Sequence, residues 1–220
     1  MAADKASATP AVEGTSTISD ALDRLGLPGS AHGISPLANG QRMFGPAYTV
    51  RYVSAGYPPG TVGDYIDDIP AGAVVVLDNA GRTDCTVWGD ILTAVSIQRG
   101  IAGTAVNGVC RDTHRALTTG YPIFSSGRFM RTGKDRVEVA EIGGTVNLGD
   151  VQVRQGDLVI GDDDGVVVVP QGRIDEVLAL AHRIAQREAD ILAAALKSGS
   201  LRDARATFGY HTLQRLASGS

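Results

Sequence analysis

The chain has 220 residues, 43% of them hydrophobic and 20% charged, with a formal net charge of −4. That length and apolar content suffice for one substantial core. The acidic balance and lack of a clustered basic face exclude a nucleic-acid-binding surface. No apolar run reaches membrane-spanning length, and the N-terminus lacks the apolar region of a signal peptide, so a cytoplasmic protein is expected.

Residues 1–14 are rich in Ala, Ser and Thr and are expected to be disordered, with one domain over residues 15–220. A short helix begins at Ser16 or Thr17 and ends at Gly26. A loop rich in Gly, Ser and Pro (residues 28–41) precedes a strand over residues 47–53, and residues 62–66 read as a short helix.

Residues 73–78 form a continuous apolar, β-branched run, the pattern of a buried parallel strand. After a polar loop, Asp90 opens a helical run that stops at Gly100, and residues 101–106 form a second apolar strand. Strand, helix and strand in this order make a βαβ crossover. The helix travels roughly 15 Å out and the strand roughly 20 Å back. Asp90 therefore shares a rim of the sheet with Arg111 and Asp112, with 20 residues between Asp90 and Arg111. That rim is where open α/β sheets bind ligands, and a helix start adds free N–H groups suited to an anion. The same spacing is also compatible with a plain N-cap at Asp90 and a surface ion pair at Arg111-Asp112.

A helix over residues 112–119 is followed by strands at 122–125, 151–153, 158–161 and 166–169. Asn147–Asp150 and the Asp162-Asp163-Asp164-Gly165 run read as turns, the latter in preference to a cation site. A long amphipathic helix spans residues 174–197, with Ile174, Val177, Leu178, Ala181, Ile184, Ala185 and Ile191 on one face. A second short helix covers residues 201–207. Cys85 and Cys110 form no disulfide framework and read as small, partly buried residues of a reducing compartment. His32, His114, His182 and His211 lack metal-ligand spacing, although His114 falls close to the rim. No phosphate-binding glycine pattern follows a suitable strand.

Aspartate, 20 residues and Arg-Asp resembles the signature of the 4-hydroxy-4-methyl-2-oxoglutarate aldolases, the class II pyruvate aldolases of the RraA-like family. Thr17–Leu22, Phe44–Val50, Gly103–Asp112, Gln155–Val159 and Asp162–Pro170 resemble further family segments, in order, over roughly residues 15–195. The resemblance implies an α/β fold: a single swivelling β/β/α domain, with the βαβ unit carrying the site and a long C-terminal helix. It implies a homotrimer or dimer of trimers.

By the same resemblance, Asp112 is the direct ligand of a divalent cation, Mg2+ or Mn2+. Arg111 binds the 2-keto oxygen of a 2-oxo acid substrate. Asp90 is the acid/base carboxylate, acting through a water on the metal. The backbone amides around Gly89, Ile91 and Leu92 seat the pyruvyl carboxylate. Asp20 and Glu188 match acidic residues that a neighbouring subunit contributes around the metal's waters.

The implied reaction is retro-aldol cleavage of a 4-hydroxy-2-oxo acid to pyruvate, with oxaloacetate decarboxylation alongside. Residues 125–130 and the Cys110–Arg115 segment depart from the family pattern and are expected to reshape the pocket around the leaving fragment. Two other readings stand beside this one. One is a regulator of an RNA-degrading endonuclease acting through protein contacts, and the other is a specialised-pathway lyase using the same centre.

Overall fold

The computed structural model describes residues 13–209. The tail from Tyr210 with His211, and residues 1–12 of the segment expected to be disordered, lie outside the described residues. Helix α1 (Thr15–Arg24) buries Ile18, Ala21 and Leu22 and is capped by Gly14. Short strands β1 (Ser30–Ala31) and β2 (Ser35–Pro36) lead into β3 (Met43–Ser54), twelve residues long. A single 3-10 turn, Tyr65–Asp68, replaces the helix expected at residues 62–66.

The β-branched run becomes β4, but this strand spans Val74–Thr86, well beyond the expected end at Asp78. Its register slips against the next strand between Asp78 and Arg82 and again before Thr86. Ala80 and Gly81 take left-handed φ values of 53° and 67° in the first slip. A pattern of apolar residues cannot show a strand that resumes after a bulge.

Helix α2 (Asp90–Arg99) ends on Gly100 at φ 70°, the left-handed stop expected from its sequence. Strand β5 (Gly103–Cys110) is buried along its whole length. Helix α3 (His114–Thr119) starts two residues later than expected, which leaves Asp112 outside it. Then come β6 (Ile123–Arg128), β7 (Val137–Ile142), β8 (Val146–Leu148), β9 (Val151–Val153), β10 (Leu158–Asp162) and β11 (Gly165–Val169). Strand β7 was not legible in the sequence, and Asn147-Leu148 belongs to β8 rather than to the turn. Helix α4 (Ile174–Ser198) and helix α5 (Leu201–Phe208) close the described chain.

The principal sheet has nine strands in the order β1-β11-β10-β3-β4-β5-β6-β2, with β7 paired to β3. Strands β3, β4, β5 and β6 run parallel, so the βαβ crossover is present as expected. Strand β3 joins two halves of the sheet. Its first residues pair antiparallel with β10, and residues from Ala47 onward pair with β4.

Alternation along β4 divides the core. Val75 and Leu77 pack with Trp88, Ile101 and Tyr121 on one face, while Val74 and Val76 pack with Phe124, Leu148 and Val153 on the other. A third cluster covers the β10 and β11 flank with Ile18 and Leu22 of α1 and Val177, Ala181 and Ile184 of α4. Leu180 is also buried on α4, in addition to the expected face.

Asp162 anchors the start of α1 to this flank. Its carboxylate accepts from the Thr15 amide (2.8 Å), the Thr15 hydroxyl (2.5 Å) and the Asp164 amide (3.0 Å). The acidic run is thus a structural turn, as its sequence indicates. Burial acts to raise the Asp162 pKa, but these hydrogen bonds outweigh it and hold the carboxyl below its ordinary value. Its stabilisation is therefore complete above an ordinary carboxylate pKa of about 4 and is lost as pH falls through the depressed value. Asp162→Asn should lower the urea midpoint near neutral pH. The mutant and parent curves should converge as the pH falls through the depressed Asp162 value.

Candidate functional site

Two backbone segments meet at the carboxyl ends of β4 and β5. The Arg111 amide donates to the Trp88 carbonyl (3.1 Å), which ties the residue after β5 to the residues entering α2. Trp88 is 1% exposed, stacks on Tyr121 with centroids 6.5 Å apart, and donates from Nε1 to the Thr93 hydroxyl (3.0 Å). That hydroxyl donates to the Gly89 carbonyl (2.9 Å). The junction is therefore packed from below and hydrogen-bonded along its length.

Gly89 is the N-cap of α2, and Asp90 is the first helical residue. Gly89, not Asp90, occupies the cap position, which removes the plain-cap reading. The first intrahelical acceptor contact is Thr93 N–H to Gly89 (3.1 Å). The N–H groups of Asp90, Ile91 and Leu92 have no intrahelical acceptor at a helix start and face the positive end of its dipole.

Arg111 Nε lies 3.2 Å from Asp112 Oδ2, and Arg115 Nη2 lies 3.8 Å from Asp90 Oδ2. All four side chains are between 37% and 49% exposed, so these pairs add little to stability. The ion-pair reading of Arg111-Asp112 is thus realised, but in a cavity wall. Asp112 sits at φ 51°, a left-handed conformation that costs a non-glycine residue about 1 kcal/mol or more.

The cavity holds about 340 Å3. Residues 86–92, Arg111 and Asp112 form one side, with Val62, Gly63 and Asp64 on another and Thr132 and Gly133 completing it. A second hollow shares Asp90 and Asp112 and runs along α3 past His114, Arg115 and Thr118. Five of the expected site residues, Gly89, Asp90, Ile91, Leu92 and Arg111, thus line the same cavity as Asp112.

Asp20 and Glu188 are not brought there. They lie on α1 and α4, which cover β10 and β11, and they face each other. Glu188 has its pKa raised by burial and then by the charge of Asp20. The expectation that residues 125–130 line the pocket is corrected. Ser125 to Arg128 instead border a hollow beside Ser35, Pro36 and Leu37, because β6 pairs there with β2.

Cys85 and Cys110 are fully buried and absent from the cavity lining, and burial pushes the Cys110 thiol up. Val62, Asp64, Thr132 and Gly133 were missed as site residues, while Arg115, in the segment expected to reshape the pocket, lines the hollow along α3. Thr132 reaches the cavity through a parallel bridge to Thr86 that no sequence period announces.

Among the described residues no three His, Cys, Asp or Glu side chains converge as a metal cage. Two oxygen donors, Asp90 and Asp112, line both the cavity and the hollow along α3 and are nearly half exposed. This donor set suits a hard cation that keeps several waters and not a closed tetrahedral zinc site.

The family model described as Aldolase/RraA matches residues 15–168. This chain belongs to the RraA-like family. It is 38% identical over 196 residues to protein DlpA of Legionella pneumophila, covering 88% of this chain and 32% of DlpA. The chain therefore spans about a third of that relative's length. It is 36% identical over 177 residues to a Halalkalibacterium halodurans protein named "Putative 4-hydroxy-4-methyl-2-oxoglutarate aldolase", covering 77% of this chain and 78% of that one. A solved structure of an uncharacterized Pseudomonas syringae protein matches with a TM-score of 0.80 and 40% identity, covering 88% and 92% of the two chains. No helix among the described residues is long and apolar enough to cross a membrane.

Gly89 packs closely against the Arg111-Asp112 pair. A Cβ there would stand 3.0 Å from Asp112 Oδ2 and 3.5 Å from Arg111 Nε, although its φ of −150° suits any residue. Gly89→Ala should displace the Asp112 carboxylate from its 3.2 Å contact with Arg111, which a crystal structure of the variant would record. Global stability should shift by less than ~1 kcal/mol, because no core contact changes.

Proposed function

We propose that the chain is a divalent-metal-dependent lyase that cleaves a 4-hydroxy-2-oxo acid to pyruvate and a second carbonyl compound. Oxaloacetate decarboxylation is a side reaction of the same centre. The observation that carries this reading is the convergence of Asp90, Arg111, Asp112 and the unpaired α2 amides on one cavity.

The α2 N–H groups of Ile91 and Leu92, with Gly89, receive the substrate carboxylate, where helix-start donors favour an anion. Arg111 places its fixed positive charge at the 2-keto oxygen, where negative charge develops as the C3–C4 bond breaks. Asp90 takes the proton of the C4 hydroxyl and delivers one to C3, so C4 leaves as a carbonyl and the remaining three carbons become pyruvate. Asp112, with Asp90 nearby, would hold magnesium or manganese, which supplies Lewis-acid stabilisation of the same enolate when bound. The paired 3.2 Å contact between Arg111 and Asp112 keeps both groups aimed at one point.

Asp20 and Glu188 enter this proposal through assembly. They are mutually close on α1 and α4 and outside the cavity lining, so in this reading they serve a neighbouring copy's centre. A homotrimer, or a dimer of trimers, is the arrangement proposed.

The direct test is pyruvate release from oxaloacetate and from 4-hydroxy-4-methyl-2-oxoglutarate by chelator-stripped protein, with and without magnesium or manganese. Metal-dependent turnover should fall at least about a hundredfold in Arg111→Ala, the usual scale for losing a donor to a developing oxyanion. No turnover with any metal would overturn the lyase reading.

Asp112→Gly makes a sharper variant, because it relieves the left-handed backbone while removing the carboxylate. Its thermal midpoint should match or exceed the parent's, and its metal-dependent activity should vanish.

A further inference from the structure

The cavity is larger than a pyruvyl group requires, and the remainder has a chemistry of its own. If the carboxylate and keto oxygen occupy the α2 amides and Arg111, the substrate beyond C4 meets the wall carried by Val62 and Asp64. That wall is fixed in place. The Val62 carbonyl accepts from the Tyr52 hydroxyl (3.2 Å), and the Thr61 carbonyl accepts from the Val139 amide (3.0 Å). Glu138 accepts from the Gly56 and Gly60 amides (3.1 and 2.6 Å), and these bonds hold its carboxyl below the ordinary range. Asp64 is thus presented by a pinned loop.

Charge is distributed unevenly across this cavity. Among its lining residues the carboxylates are Asp64, Asp90 and Asp112, while Arg111 is the sole cation. Arg111 is committed to the pyruvyl end. The next cation, Arg115, stands 3.8 Å from Asp90 and lines the adjoining hollow along α3. No hydrogen bond or ion pair among the described residues engages the Asp64 carboxylate. Beside it stand apolar Val62 and Ile91, 38% and 75% exposed. A carboxylate on the far end of a substrate would find no counter-charge here and would face Asp64, like charge against like. An uncharged fragment would meet apolar side chains and the Thr132 hydroxyl.

We infer that the physiological substrate is a monoanion, a 4-hydroxy-2-oxo acid whose fragment beyond C4 is uncharged and departs as a neutral aldehyde. Asp64 is the residue that excludes a second carboxylate. This inference rests on the lyase reading. In the cleavage the C3–C4 bond breaks, the C4 hydroxyl proton passes to Asp90, and C4 becomes the aldehyde carbon. The electron pair of the broken bond moves onto the pyruvyl fragment, which takes a proton at C3. Oxaloacetate remains compatible as a side substrate, because its second carboxylate is the reacting carbon itself and stops short of the Asp64 wall.

The test compares kcat/KM for pyruvate release from 4-hydroxy-2-oxopentanoate, a monoanion, and 4-hydroxy-4-methyl-2-oxoglutarate, a dianion. The full chain loaded with magnesium or manganese is used, with oxaloacetate as reference. The native protein should prefer the monoanion at least about tenfold. Asp64→Asn should narrow the preference and Asp64→Lys should reverse it, mainly through KM for the dianion, because electrostatic exclusion acts on binding. Three outcomes would overturn the inference. They are a native preference for the dianion, a preference unchanged in Asp64→Lys, and a dianion preference that disappears in Arg115→Ala, which would seat the second carboxylate on α3. Turnover of oxaloacetate with neither hydroxy acid cleaved would also overturn it while leaving the enolate centre standing. Release of pyruvate from none of the three would remove the lyase reading itself.

Discussion

A single backbone hydrogen bond, from the Arg111 amide to the Trp88 carbonyl, joins the two segments on which the site is built. One segment has just left β5, and the other is about to enter α2. Without that contact the guanidinium and the helix-start amides would occupy neighbouring strand ends with no fixed relation. With it, Gly89 approaches Asp112 so closely that even a methyl group there would press on the carboxylate. The aromatic pair of Trp88 and Tyr121 supports the junction from the core side, so the precision of a polar site depends on an apolar floor.

A second constraint lies directly beneath. Asp78, 6% exposed, accepts from Asn107 Nδ2 (2.8 Å), the Ala80 amide (2.9 Å) and the Asn147 amide (2.9 Å). Asn107 in turn accepts from the Gly149 amide (3.3 Å). These bonds occur where β4 leaves regular pairing with β5, and they dock the β8 turn against the break. A buried carboxylate of this kind is tolerated because its lone pairs are filled by backbone and amide donors. The bulged strand can then resume at Thr86 and deliver residues 86–90 to the cavity.

The two faces of the molecule have different tasks. On the α2 and α3 side, charged groups are half exposed and border open space, an arrangement that contributes little to stability and leaves them available to a ligand. On the α1 and α4 side Asp162 is an anchor that fastens the start of α1, while Asp20 and Glu188 bring like charges together, and the Glu188 pKa is raised by burial and by Asp20. The acidic character of the sequence thus divides into structural carboxylates, which are filled by donors, and cavity carboxylates, of which Asp64 has none.

Much of this was legible in the residues themselves. Two β-branched runs with a helical stretch between them determine a βαβ unit, since a parallel return requires a crossover, and strand and helix lengths then bring Asp90 and Arg111-Asp112 to one rim. Gly100 stops α2, and the apolar face of α4 gives a long helix packed on a sheet. The family signature was equally local, because a spacing of 20 residues is set by one crossover. Only the tertiary structure decided the rest. The bulge that extends β4, the pairing of β6 with β2 that turns residues 125–128 away from the cavity, and the approach of Val62, Asp64 and Thr132 all depend on contacts between segments far apart in sequence. Such contacts leave no period behind them. The chain alone determined which groups could do the chemistry, and the fold determined which other groups they would face.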